Sequence, residues 1–124
     1  MAAYVRCSTQ LYTEFVHEYT IDTVRGTIEL VNDVYGFNHV AVDVSVEDEA
    51  TFIYKCPAVV IGKKSGTGEA ISKGERVYGD PADDYDVSAT KSVGYLYLGI
   101  ALEDAAASDT TVDIEYDGTL HDVL

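Results

Sequence analysis

Between Glu69 and Tyr116 the chain is a succession of short apolar runs separated by turns rich in Gly, Asp and Ala. An amphipathic helix needs apolar positions recurring every three or four residues over several turns, and these interruptions leave no room for one. A strand needs only a few alternating positions, so the spacing predicts sheet. The apolar residue types agree: 16 Val and 7 Ile stand against 7 Leu, with 10 Tyr and 11 Thr. Branching at Cβ and aromatic rings cost more in a helix than on a pleated surface. At 124 residues one domain with a single core is expected. The fold class is all-β, a small single-domain β-barrel or β-sandwich-like fold with an N-terminal arm and at most one short helix.

Three divisions follow along the chain: residues 1–20 as an arm or short extra element, 21–118 as the β-rich domain, and 119–124 as a loose tail. In the first, Leu11, Phe15 and Tyr19 fall four apart, as on one helical face. Thr9, Tyr12, Thr13 and Val16 weaken that helix, and an extended arm ordered against a neighbour fits as well. Thr27–Val31 is a short strand. Val40, Val42, Val44 and Val46 alternate with polar residues, which predicts a half-buried strand closed by Glu47, Asp48 and Glu49. Thr51–Ile61 is another β run, with Pro57 marking an edge or a bulge. Lys63–Gly68 is a loop, Arg76–Tyr78 a brief strand and Asp80–Asp86 a turn around Pro81. Val93–Leu102 is apolar on both faces, as a covered central strand would be. Asp104–Asp109 is a small connection, one helical turn at most. Val112, Ile114 and Tyr116 alternate with Thr111, Asp113 and Glu115 as the last strand. Beyond it, Asp117–Leu124 reads as loose.

Chemistry is hard to place on this frame. The loop GKKSGTG at 62–68 has its lysines before the second Gly and β flanks, whereas a phosphate loop needs Lys after that Gly at a helix start. Asp80, Asp83, Asp84 and Asp86 offer oxygen ligands without the spacing, central Gly and closing Glu of a calcium loop. His17, His39 and His121 are scattered, away from any Cys or His at zinc-ligand spacing. Two cysteines, Cys7 and Cys56, are too few for a disulfide scaffold and read as free thiols. No Ser or Cys sits in a Gly-flanked elbow. No catalytic, cofactor-binding or metal residue is assigned. The 22 acidic against 8 basic residues give a net charge of −14, which repels nucleic acid and anionic membranes alike. The simplest use of that charge is solubility; a second is a face suited to a basic partner. No apolar run approaches membrane-spanning length, and no basic region precedes an apolar one at the N-terminus, so a soluble protein without an export address is expected.

The segments EAISKGERVYGDP at Glu69–Pro81 and YLYLGIALEDAAASDTTVDIEYDG at Tyr95–Gly118 resemble the capsid cement, or head decoration, proteins of tailed bacteriophages. The recurring form there is "GxxVYWD", a gap, "LIGxAxxAA", a polar turn and a final alternating strand. Gly74, Val77, Tyr78 and Asp80 fit the first element, with Gly79 where Trp is frequent. Leu98, Gly99, Ala101, Ala105 and Ala106 fit the second, and Val112 with Ile114 the third. The resemblance spans roughly residues 20–118 and is strongest in the C-terminal part. Residues 1–20 look longer than in a typical member, and Glu49–Lys64 is only loosely similar.

What the resemblance implies is a non-enzymatic part on the outer surface of the virion. It would be a homotrimer bound to the major capsid protein, cementing neighbouring subunits of the expanded head against the pressure of packaged DNA. Cofactors, nucleic acid and membrane have no part in that role. The capsid or subunit interface is expected on the N-terminal segment, at Tyr4, Leu11, Tyr12, Phe15 and Tyr19, because aromatic residues make good anchors and an extended arm can add to an open sheet edge. The same rings would equally serve to cap the domain's own core. Other readings stand beside this one: a head fibre or tail component, a small β-barrel module that binds a peptide or glycan, and an acid-rich hydrolase.

Overall fold

The computed structural model describes residues 6–7, 12–66 and 69–120. Among them the chain forms nine strands: β1 (Arg6–Cys7), β2 (Thr13–Glu18), β3 (Ile28–Val31), β4 (Val34–Asn38), β5 (Glu49–Gly62), β6 (Arg76–Asp80), β7 (Asp86–Ser88), β8 (Leu96–Ala101) and β9 (Thr111–Asp117). Pro81–Asp83 is one 3-10 turn, and no described helix is long and apolar enough to cross a membrane. All nine strands belong to one sheet, and the architecture is the all-β one expected.

The 14-residue β5 organises the sheet because both of its edges are used. Phe52 pairs with Phe15 of β2 on one side and with Asn38 of β4 on the other. Further along, Val59 pairs with Cys7 of β1 and with Ile114 of β9. From β9 the sheet continues through β8 and β6 to β7. It then curls back on itself. Lys63, just past β5, forms a parallel bridge with Val87 of β7, and the Lys64 N–H donates to the Val87 carbonyl at 3.0 Å. Pro57 has no N–H to give, and the β5–β9 register shifts between Cys56 and Val59, as a bulge at that residue requires.

Inside the curl lie Ile61, Val77, Val87, Leu98, Val112 and Ile114, all essentially buried. Each such side chain contributes roughly 1.5–3 kcal/mol by leaving water. Tyr116 is buried with them. Its ring meets Phe37 edge-on at 5.4 Å and its hydroxyl donates to the Tyr35 carbonyl at 2.8 Å, so the polar tip is satisfied. In β9 the burial alternates as the sequence pattern predicts, with Val112, Ile114 and Tyr116 inward. Strand β8, flanked by β6 and β9, is central as expected but not covered on both faces: Leu96 and Leu98 are buried, while Tyr97 and Ile100 are half-buried and Val93, before the strand, is on the surface.

Several local expectations are corrected. Val40–Val46 is a turn and not a strand: Asp43 accepts from the N–H and hydroxyl of Ser45 through its side chain, and from the N–H groups of Val46 and Glu47 through its carbonyl. Those bonds fold the backbone from Asp43 onward, and before it the segment pairs only through the single Thr23–Val42 bridge. Residues 13–18 are extended on the chain's own β5, so the helical alternative for this segment does not form. Asp104–Asp109 makes turns without a helical one. Val34–Asn38, unassigned from sequence, is a strand that hairpins onto β3 through Asn32, whose φ is 52°. At the C-terminal end, Asp117 belongs to β9, and Gly118 donates to Tyr54 and accepts from Tyr35 where β9 gives way to β4. That part of the tail is anchored, and residues 121–124 lie outside the described ones.

Gly99, opposite Tyr116 in the β8–β9 pair, has a φ of 154°, and a Cβ there would collide with the Glu115 backbone. Gly94 also has a positive φ, 86°, but faces open space. Gly99→Ala is therefore expected to cost about 3 kcal/mol or more and Gly94→Ala about 1 kcal/mol. Urea melts of the two variants check this, and equal losses would contradict the close β8–β9 approach.

Candidate functional site

Of the expected interface residues, three lie among the described ones. Tyr4 and Leu11 lie outside the described residues. Tyr12 is half-buried, packs against the core and sits 5.8 Å from the His39 ring. Phe15 stacks on Phe52 at 5.0 Å and leans on Tyr54. Tyr19 is buried and meets His17 edge-on at 4.7 Å, while His17 in turn leans on Phe52. Phe15, His17 and Tyr19 thus form an aromatic row over the N-terminal half of β5. Burial, followed by the charge of Glu29, pushes the Tyr19 phenol above its ordinary range. Neither the Tyr19 hydroxyl nor Glu29 Oε1 closes a hydrogen bond. On the opposite side of β2, Val16 is 67% exposed.

A second cluster, not read from sequence, sits where the sheet closes. Lys63 is buried, and its Nζ donates to the carbonyls of Lys64, Ala107 and Asp109 at 2.6, 3.3 and 3.2 Å. It ties the end of β5 to the connection before β9. The Lys63 ammonium expected on a loop is thus spent inside the fold. Lys64 Nζ binds Asp80 at 2.6 Å and the Tyr95 hydroxyl at 3.1 Å, with Asp83 at 3.9 Å. The Lys64 hydrogen bond holds the Asp80 carboxyl below its usual range, and the Asp80 carboxylate holds the ammonium above its own. Asp80 also accepts from the Ala82 N–H and caps the 3-10 turn. Asp84 and Tyr85 follow with φ of 53° and 62°, two successive left-handed residues that reverse the chain into β7.

That reversal turns Asp86 inward. It is 8% exposed, and Oδ1 has no hydrogen-bond partner. Burial first, then the neighbouring Asp83 charge, pushes its carboxyl up to about 6. Asp86, Asp83, Glu69, Lys63 and Lys64 share a hollow of about 440 Å³. A larger hollow of about 530 Å³ lies at the Pro57 bulge between Tyr12, Lys55, Tyr116 and Asp117. It is open, and Lys55 pairs with Asp117 at 3.6 Å across it. Among the described residues, Tyr12 and Tyr116 are the aromatic rings on its wall, and Tyr116 is buried. Among the described residues no three His, Cys, Asp or Glu side chains converge as metal ligands would. Cys56 is a free, buried thiol whose Sγ donates to the Ala58 carbonyl. The assembled features are surfaces and structural ion pairs, and they show no nucleophile paired with a base.

A family model described as phage cement protein matches residues 12–116. The match starts at Tyr12 and so takes in β2, which the sequence resemblance had left outside. No curated protein and no solved structure matches the chain.

Asp86 makes stability depend on pH in a direction opposite to that of a salt-bridged carboxylate. Its folded pKa of about 6 lies above the ordinary 3.8, so the folded state holds the proton more tightly. The cost of the buried charge is full above pH 6, fades as pH falls from 6 towards 4, and vanishes below that. Asp86→Asn is expected to raise the melting temperature at pH 8, by on the order of 1 kcal/mol of stability after solvent screening, and to match the parent near pH 4. An equal effect at both pH values would show that Asp86 is not charged in a costly place.

Proposed function

The chain belongs to the phage cement protein family, and from that membership we propose that it binds the outside of the expanded capsid and clamps neighbouring major capsid protein subunits against the pressure of packaged DNA. As a family member it is a structural protein of the virion, at the outer surface of the capsid. The family match over residues 12–116 is the observation that carries the proposal. The fold supports it physically. A sheet hydrogen-bonded on both edges of β5 and closed by Lys63 is stiff, and a stiff body transmits load between the points where it is held. The work is that of binding and not of catalysis.

A homotrimer touching several capsid subunits gains from effective concentration, so modest contacts release slowly as a set. The N-terminal segment, Tyr4, Leu11, Tyr12, Phe15 and Tyr19, is proposed as the contact with shell or partner subunit. Phe15 and Tyr19 would act there by stiffening β2, whose outer edge and exposed Val16 face outward. The charge of −14 suits an outer position and gives no grip on the genome or on a membrane.

Two measurements test this. Added to undecorated expanded heads, the protein is expected to raise their melting temperature with a concentration dependence that saturates; no shift at saturating protein would end the cement reading. Truncation of residues 2–11, which removes Tyr4, Leu11 and the two-residue β1 but spares β2, is expected to weaken head binding by about tenfold or more with the core strands still folded by circular dichroism. Unchanged binding would remove that segment from the contact.

A further inference from the structure

Among the described residues, eight large aliphatic or aromatic side chains are exposed, and six of them fall between Val16 and Val46. Isolated exposed aliphatics are ordinary, but concentration in one region is not. Ile21, Val24, Val40 and Val46 are 70%, 62%, 52% and 81% exposed. Their backbones are held together in a fixed arrangement. Thr23 and Val42 exchange two backbone hydrogen bonds of 2.9 and 2.8 Å, and the Val44 N–H donates to Asp22 Oδ1 at 3.0 Å. The buried Asn38 amide donates to the carbonyls of both Val24 and Val40, at 2.9 and 2.8 Å. Asp43 fixes the turn that follows. Val40 and Val46 flank one groove of about 240 Å³, whose remaining wall includes Asp43, Glu47 and Glu49.

Charge says what can cover this face. Residues 12–50 carry nine carboxylates against a single cation, Arg25. A second copy laid on the same patch would bring its own acidic rim against this one, and like charges held close oppose such a contact. A partner with apolar side chains ringed by Lys and Arg would meet no such obstacle.

We infer that the face made by residues 21–25 and 40–46 is a docking surface for an apolar patch ringed by basic residues on the major capsid protein. This rests on the cement reading above and adds to it a specific footprint, separate from the N-terminal segment. The apolar residues supply adhesion, while the acidic rim steers and orients. Hydrogen bonds behind the face keep it preformed, so little ordering is lost on docking.

The experiment uses the full chain and undecorated expanded heads, with binding measured by co-sedimentation. The double variant Val40→Ser/Val46→Ser is expected to bind about tenfold or more weakly, with unchanged melting temperature and circular dichroism. Val93→Ser, which alters an equally exposed valine outside the face, is expected to bind as the parent does. A second face variant, Val24→Ser, guards against a local folding defect at the Asp43 turn. Rising ionic strength is expected to slow association of the parent. If the parent does not bind heads at all, the cement reading fails and this footprint falls with it. If the parent binds and the face variants bind equally well, the footprint alone is overturned. Loss of self-association in the variants, with head binding intact, would assign the face to a second copy and overturn it too. Association indifferent to salt would overturn the basic rim assigned to the partner.

Discussion

Everything in this domain hangs on β5. A strand paired on one edge leaves half its peptide groups for solvent or for another chain, whereas β5 has partners on both, β2 and β1 on one side and β4 and β9 on the other. Pro57 interrupts that ladder, and the chain places a bulge there, where the missing N–H costs least. The curl of the sheet brings the far strand, β7, back to the end of β5, where the Lys63–Val87 bridge and the Lys64 N–H to the Val87 carbonyl fasten it, and the Lys63 side chain ties the same end to the connection before β9. A buried ammonium is stable there because three carbonyls take its protons. The Ala107 and Asp109 carbonyls also accept from the Gly66 N–H and the Ser65 hydroxyl, so the lysine joins a set of bonds tying the end of β5 to the turn before β9, and Lys63 is a structural residue and not a loop one.

How much of this was legible depended on whether local sequence alone decided the conformation. The alternation in β9 was readable because each of Val112, Ile114 and Tyr116 points into the core and each intervening residue does not. Pro57 was readable from its chemistry as an edge or a bulge, and the β5–β9 register shift makes it a bulge. The valines at 40, 42, 44 and 46 show the limit of alternation: a period of two signals a strand only if successive backbone groups pair, and here Val42 makes one bridge to Thr23, the Val44 N–H goes to the Asp22 side chain, and Asp43 engages the N–H groups of Ser45, Val46 and Glu47. The β3–β4 hairpin carried a usable signal in Asn32-Asp33, two turn-forming residues between two β-branched runs, but Gly36 and Asn38 diluted the second run. Lys63, Asp86 and the Lys64–Asp80 pair were out of reach, since their partners lie far away in sequence and only closure of the sheet brings them together.

The two charged regions do opposite things. At the closed end Lys63 and Lys64 are consumed internally, holding Asp80 and three carbonyls, and contribute little to what a partner meets. In residues 12–50 nine carboxylates face a single Arg25, and exposed valines lie between them. A net charge of −14 is therefore not an even coat. It is uneven enough to give the molecule a side.

The pairings of β5 also bear on how the chain reaches its form. Residues near the beginning and near the end must both find the middle before any core exists, so loop-closure entropy is met early and recovered late. Such wiring predicts slow folding, on the order of milliseconds to seconds, and an all-or-none transition. On a particle exterior the same wiring is protective. A protease needs a locally opened segment to cut, and a sheet whose central strand is clasped from both termini yields few of them short of global unfolding.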